Sequence, residues 1–74
     1  MKKSYAAICK SQESRGVSTG WIHPLGRCAD FGEAGAMAVK MLRGSLILAI
    51  CLAEDAPMVY ELLARIHNCV LEKS

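Results

Sequence analysis

From Asp30 to Ala53 the chain has no proline and is dense in alanine, methionine and leucine. That composition predicts one long helix, about 36 Å at 1.5 Å rise per residue. Its start is marked. Asp30 can accept the Glu33 N–H, and Glu33 can reach back to the Asp30 N–H. In its first half Glu33, Lys40 and Arg43 share a polar stripe, and Ala34, Met37, Ala38, Met41 and Leu42 face the other way. From Leu46 to Ala53 there is no polar side at all. A helix that is apolar all round must be covered on every side, so this stretch decides what the rest of the chain can do.

Before it, Lys3 to Lys10 has the Tyr, Ile and Cys content of a strand, with an apolar middle that can be covered on both faces. A polar segment, Ser11 to Gly16, reads as a loop. Val17 to His23 is the second strand, with Val17, Thr19, Trp21 and His23 on one face and Ser18, Gly20 and Ile22 on the other. Pro24-Leu25-Gly26 reads as a turn, and Arg27-Cys28-Ala29 as a short third strand. After the long helix, Glu54-Asp55 is the corner into a second helix, Ala56 to about Glu72, with Pro57 tolerated in its first turn. Val59, Leu62, Leu63, Ile66 and Val70 form its apolar stripe, and Glu61, Arg65, Asn68 and Glu72 its solvent face, on which Glu61 and Arg65 stand i,i+4 in the favourable order for an ion pair. A two-residue corner folds the helices back on each other. The expected fold is therefore α+β in a single small domain, 1–74: an antiparallel β-hairpin region (1–29) followed by a two-helix antiparallel hairpin (30–74).

Of the 74 residues, 53% are hydrophobic, and a chain of this length buries only about 60% of its unfolded surface. Self-association follows as an expectation, most simply a homodimer through the long helix. Ser45, Ala49 and Ala53 recur every four residues along it, as do Ala34 and Ala38 earlier. Such a row admits helix two, the sheet, the same helix of a second subunit, or a foreign helix. The expected oligomer interface is Ala38, Leu42, Ser45, Leu46, Ala49 and Ala53. The apolar run from Gly44 to Ala53 is short of the roughly 20 residues a membrane span needs. No apolar stretch of a signal peptide follows Lys2-Lys3. A cytoplasmic protein without membrane contact is expected.

Cys9, Cys28, Cys51 and Cys69 are irregularly spaced, with no C-x-x-C pair, so neither a metal site with His23 and His67 nor any cofactor is expected. His23 with Cys9, Cys28 or Ser18 would make a nucleophile–base pair only if the fold joined them. There is no Gly-rich phosphate loop, and an enzyme is not expected. Residues 1–29 carry Lys2, Lys3, Lys10, Arg15 and Arg27 against Glu13 alone, while the remainder is mildly acidic. This basic front lacks the dense Lys/Arg cluster of a committed nucleic-acid binder. Trp21, His23, Leu25 and Arg27 fall within seven residues around a stiff Pro24. They are the expected partner-binding patch, because tryptophan and arginine tend to carry binding energy; core packing of Trp21 is the competing reading.

The run from Ser18 to Ala38 (Ser-Thr-Gly-Trp-Ile-His-Pro-Leu-Gly-Arg-Cys-Ala-Asp-Phe-Gly-Glu-Ala-Gly-Ala-Met-Ala) resembles short proteins of enterobacterial temperate phages and their satellites. Among these it is similar to the derepression (antirepressor) proteins. The resemblance implies a regulator that binds and inactivates a protein target, the repressor of a resident phage. The alternatives are an inhibitor of a host defence system, such as CRISPR or restriction, and a small nucleic-acid-binding regulator.

Overall fold

The structure is a computed structural model that describes residues 2–11, 18–67 and 69–71, with side chains placed for 2–11 and 19–67. The elements are β1 (Lys3–Lys10), β2 (Ser18–Cys28), α1 (Phe31–Met41), β3 (Leu46–Leu52), a single 3₁₀ turn (Ala53–Asp55), α2 (Ala56–His67) and β4 (Cys69–Leu71). The class is α+β, but the chain order is ββαβαβ and not a hairpin followed by two helices. The strands lie in the order β3-β1-β2-β4. β1 pairs antiparallel with both β2 and β3, and β4 runs parallel to β2 at Ser18–Gly20 only.

β2 and β3 run in the same direction on either side of β1, so α1 is a crossover over β1. The next crossover, through α2, returns laterally over β1 and β2 to reach β4. Such crossovers are right-handed in nearly all proteins, and two that run in opposite lateral directions put their helices on opposite faces. The core divides accordingly. Tyr5, Ala7, Cys9, Leu25 and Cys28 pack under Ala34, Ala38 and Leu42 of α1. Ala6, Ile8 and Cys51 pack under Ala56 and Tyr60 of α2. β1 is thus buried on both faces, as its apolar middle requires, and the helices flank a sheet where the sequence suggested a helical hairpin.

The largest correction concerns the stretch from Asp30 to Ala53. It is not one helix. Asp30 does cap α1, its carboxylate accepting the Glu33 N–H at 2.8 Å. The rings of Phe31 and Tyr5 meet edge to face with centroids 4.9 Å apart, which fixes the helix entry against β1. The helix stops at Met41, with Leu42 as C-cap and Gly44 at φ +87°. Glycine adopts that conformation at no steric cost, which is why it so often closes helices. Beyond it, Leu-Ile-Leu-Ala-Ile-Cys-Leu is β3, with Ile47, Ile50 and Leu52 packed on the α1 side, Leu48, Ala49 and Cys51 on the α2 side, and Leu46 exposed at its start. The continuous apolar run that looked like a helix with no polar side is a strand packed between two layers.

The front end also differs. Pro24-Leu25-Gly26 is not a turn: β2 continues through it, and Arg27-Cys28 belongs to the same strand. Tyr5 pairs with Gly26 and Ala6 with Pro24, so Leu25 is the extra residue of a β-bulge, with Gly26 at φ +84° beside it. Thr19, Trp21 and His23 share the α1 side of the sheet, opposite Gly20 and Ile22, in the expected alternation. The expected polar loop lies almost wholly outside the described residues. At its start the Ser11 N–H donates to the Thr19 carbonyl at 2.8 Å, and the Thr19 N–H donates to Ser11 Oγ at 3.0 Å. α2 ends at His67, so Val70, expected on its stripe, lies in β4. No helix among the described residues is long and apolar enough to cross a membrane.

Candidate protein-binding surface

The structure separates the four residues expected to form a contact patch. Leu25 is 4% exposed, folded into the α1-side core by the bulge. Trp21 is half-buried and packs against the same core. His23 is half-buried beside it, with Nε2 enclosed and without a hydrogen-bond partner among the described residues. Arg27 pairs with Ser4, one position out of phase with the buried Cys28, and is exposed on the α2 side of the sheet. Within one strand, alternate residues point to opposite faces, so Trp21 and Arg27 do not make one surface.

The expected oligomer interface is divided too. Ala38 (0% exposed) and Leu42 (8%) are committed to the core under α1. Leu46 and Ala49 lie on β3, Ser45 in the turn before it and Ala53 in the turn after it. The small-residue row belongs to three different elements and is no helical stripe. Ala34 and Ala38 have another use. Both are fully buried, and their lack of bulk brings α1 close to the sheet.

Cys9, Cys28 and Cys51 are buried and free. The Cys28 thiol donates weakly to the Gly26 carbonyl at 3.9 Å. Burial pushes the Cys9 thiol up from its ordinary value, and burial followed by the charge of Asp55 does the same to Cys51. A thiol so held is a poor nucleophile, because the thiolate is the reactive form. The side chains of Ser18 and Cys69 lie outside the described set. Among the described residues no group of three Cys, His, Asp or Glu side chains is placed to hold a metal ion. Nor do the basic groups of the front converge among the described residues. Lys3 and Arg27 sit at one end of the β1–β2 pair and Lys10 at the other, opposite Gly20. Seven residues of strand separate Lys3 from Lys10, about 23 Å at 3.3 Å each.

What the periodicity of helix two did not reveal is which of its apolar residues would be left outside. Ala56, Val59, Tyr60, Leu63 and Ala64 face the sheet. Met58, Leu62 and Ile66 do not: they are 62%, 56% and 75% exposed. Spaced four residues apart, they form one continuous apolar line along α2. Beside it runs the ion pair of Arg65 with Glu61, Nη2 to Oε1 at 3.2 Å, both side chains open to water. The sequence anticipated that pair correctly. An apolar line bordered by charge is the composition of a contact surface with a polar rim.

Comparison with protein-family models, with curated proteins and with solved structures finds no match to this chain.

Proposed function

We propose that this protein is a small regulator that acts by binding another protein and inactivating it, and that its target is the repressor of a temperate phage. The observation that carries the binding mode is the exposed row of Met58, Leu62 and Ile66 on α2. Three large apolar side chains at i, i+4 and i+8 are the anchors with which an amphipathic helix enters a partner's groove. Full burial of each contributes roughly 1.5–3 kcal/mol before the costs of association. Methionine adds adaptability to the shape of the groove. The choice of a repressor as target is supported by the resemblance of Ser18 to Ala38 to derepression proteins.

The test uses purified repressors of enterobacterial temperate phages bound to fluorescent operator DNA. Added protein should release the DNA, and Leu62→Glu and Ile66→Glu should abolish release while leaving the circular dichroism spectrum unchanged. If no repressor is released, the target is wrong. If release occurs but both folded variants match the wild type, the contact surface is not on α2.

A further inference from the structure

The two long strands that border the sheet are built differently. Among the described residues β2 is an outer strand from Trp21 to Cys28, beyond the short pairing with β4, and it carries Pro24, the Leu25 bulge and the charge of Arg27. Proline, bulges and charge are the usual devices that prevent an edge from recruiting another strand. β3 is the outer strand on the other side over its whole length, with no strand beyond it among the described residues. It has no charged residue, no proline and no polar side chain; the one such device it shares with β2 is a β-bulge, at Leu48, which the pairing with β1 skips. An outer strand of this kind presents unpaired N–H and C=O groups flanked by apolar side chains, and what satisfies both is another apolar strand.

The ends of β3 identify the occupant. Arg43 lies just before it and Glu54 and Asp55 just after, all three exposed. Among the described residues the one ion pair is that of Arg65 with Glu61, and Arg43, Glu54 and Asp55 make none there. In an antiparallel pairing of β3 with β3 of a second copy, the basic end of each strand meets the acidic end of the other. A dyad at Ala49, the middle of the strand, pairs Leu46 of one copy with Leu52 of the other, so the turn that carries Arg43 meets the 3₁₀ turn that carries Glu54 and Asp55, and it does so twice. A parallel pairing would instead set like charge against like.

We infer that two copies of this chain join antiparallel through the outer edges of β3, giving one continuous sheet of eight strands held at both ends of the junction by Arg43 against Glu54 and Asp55. α1 and α2 keep their places on opposite faces, and the exposed row on α2 is left free. The inference is independent of the proposed target, because its test involves this chain alone.

The test is sedimentation or light scattering over a dilution series of the whole chain. Wild type should be a dimer that weakens as salt rises. Arg43→Glu, on an exposed side chain, should raise the dimer dissociation constant by about tenfold or more, since two exposed ion pairs become repulsive contacts. Glu54→Lys with Asp55→Lys should do the same. Mixing the two variants should restore a heterodimer, in which both junctions are again of opposite charge, and combining all three substitutions in one chain should return the homodimer constant to near the wild-type value. A monomeric wild type overturns the inference, and so does a dimer indifferent to Arg43→Glu. A dimer lost in Leu62→Glu and intact in Arg43→Glu would place the interface on α2.

Discussion

Ile8 reports most directly on the central position of β1. It is 1% exposed, lies on the α2 side of the middle strand, and packs in the cluster of Ala6, Cys51, Ala56 and Tyr60. Its pairing partners are Ile22 on one side and Ala49 on the other, so three strands and a helix surround it. Ile8→Ala removes three carbons from a site that cannot collapse without moving two strands. The cost of such a change is about 2–5 kcal/mol, transfer and cavity together. Set against a total of about 4–11 kcal/mol for a chain of this size, the loss takes a large part of the stability. In melting experiments it amounts to a fall of at least about 8 °C, at 4–8 °C per kcal/mol. Urea unfolding followed by circular dichroism measures it, provided the slope stays constant. Ala7→Leu is the companion. Ala7 is fully buried on the α1 side, and overpacking it should cost roughly 1–3 kcal/mol. A β1 with one face in water would tolerate one of the two. A cost below about 1 kcal/mol for either variant would refute the double covering.

Two glycines should respond with opposite signs. At Gly44 a Cβ meets nothing within 4 Å, but φ is +87°, so Gly44→Ala should cost roughly 1–2 kcal/mol through backbone strain alone; at Gly35, in the middle of α1 with equally open space, Gly35→Ala should stabilise by about 0.5–1 kcal/mol. Thermal melts of the two variants against wild type check both signs. Cys9 and Cys51 are acids whose thiol pKa values rise on folding, so the fold favours their neutral forms. Their contribution to stability is intact below the ordinary thiol value of 9.0 and is lost as pH rises through the higher folded values. Denaturation midpoints measured from pH 7 to 10.5 should therefore decline above about pH 9, and replacing both cysteines by alanine should flatten that decline.

What could be read in the sequence was local. The Asp30 cap, the Glu61–Arg65 pair, the alternation of β2 and the two-faced burial of β1 each depend on residues within a few positions of one another. What could not be read depends on partners far along the chain. Leu46 to Leu52 has no polar residue to reveal a period, and its leucines and alanine favour a helix about as well as its isoleucines favour a strand. Its pairing with β1, some forty positions earlier, decides between them. The stop signal at Gly44 was present, but the Ala/Met/Leu content on its N-terminal side masked it. Pro24 and Gly26 are turn residues in most settings, and only the register against Tyr5 and Ala6 makes them flank a bulge. On α2 the apolar period was visible; that the sheet would cover Val59 and Leu63 and omit Leu62 and Ile66 was not.

The central place of β1 also constrains how the chain reaches its native state. β1 is synthesised before β2, α1, β3 and α2, and its second neighbour and both its covering helices come later. Pairing with β2 is comparatively local and can form early, yet that hairpin has two apolar faces and neither is covered at that stage. Closing the sheet requires β3 to travel back across β1, and the crossover through α2 then spans two strands more. Non-local closure of this kind is slow for a small protein, on the order of milliseconds to seconds. During that interval the apolar edge of β3 and both faces of β1 are open to other chains. Yield on refolding should therefore fall with protein concentration well before the native protein shows any tendency to precipitate.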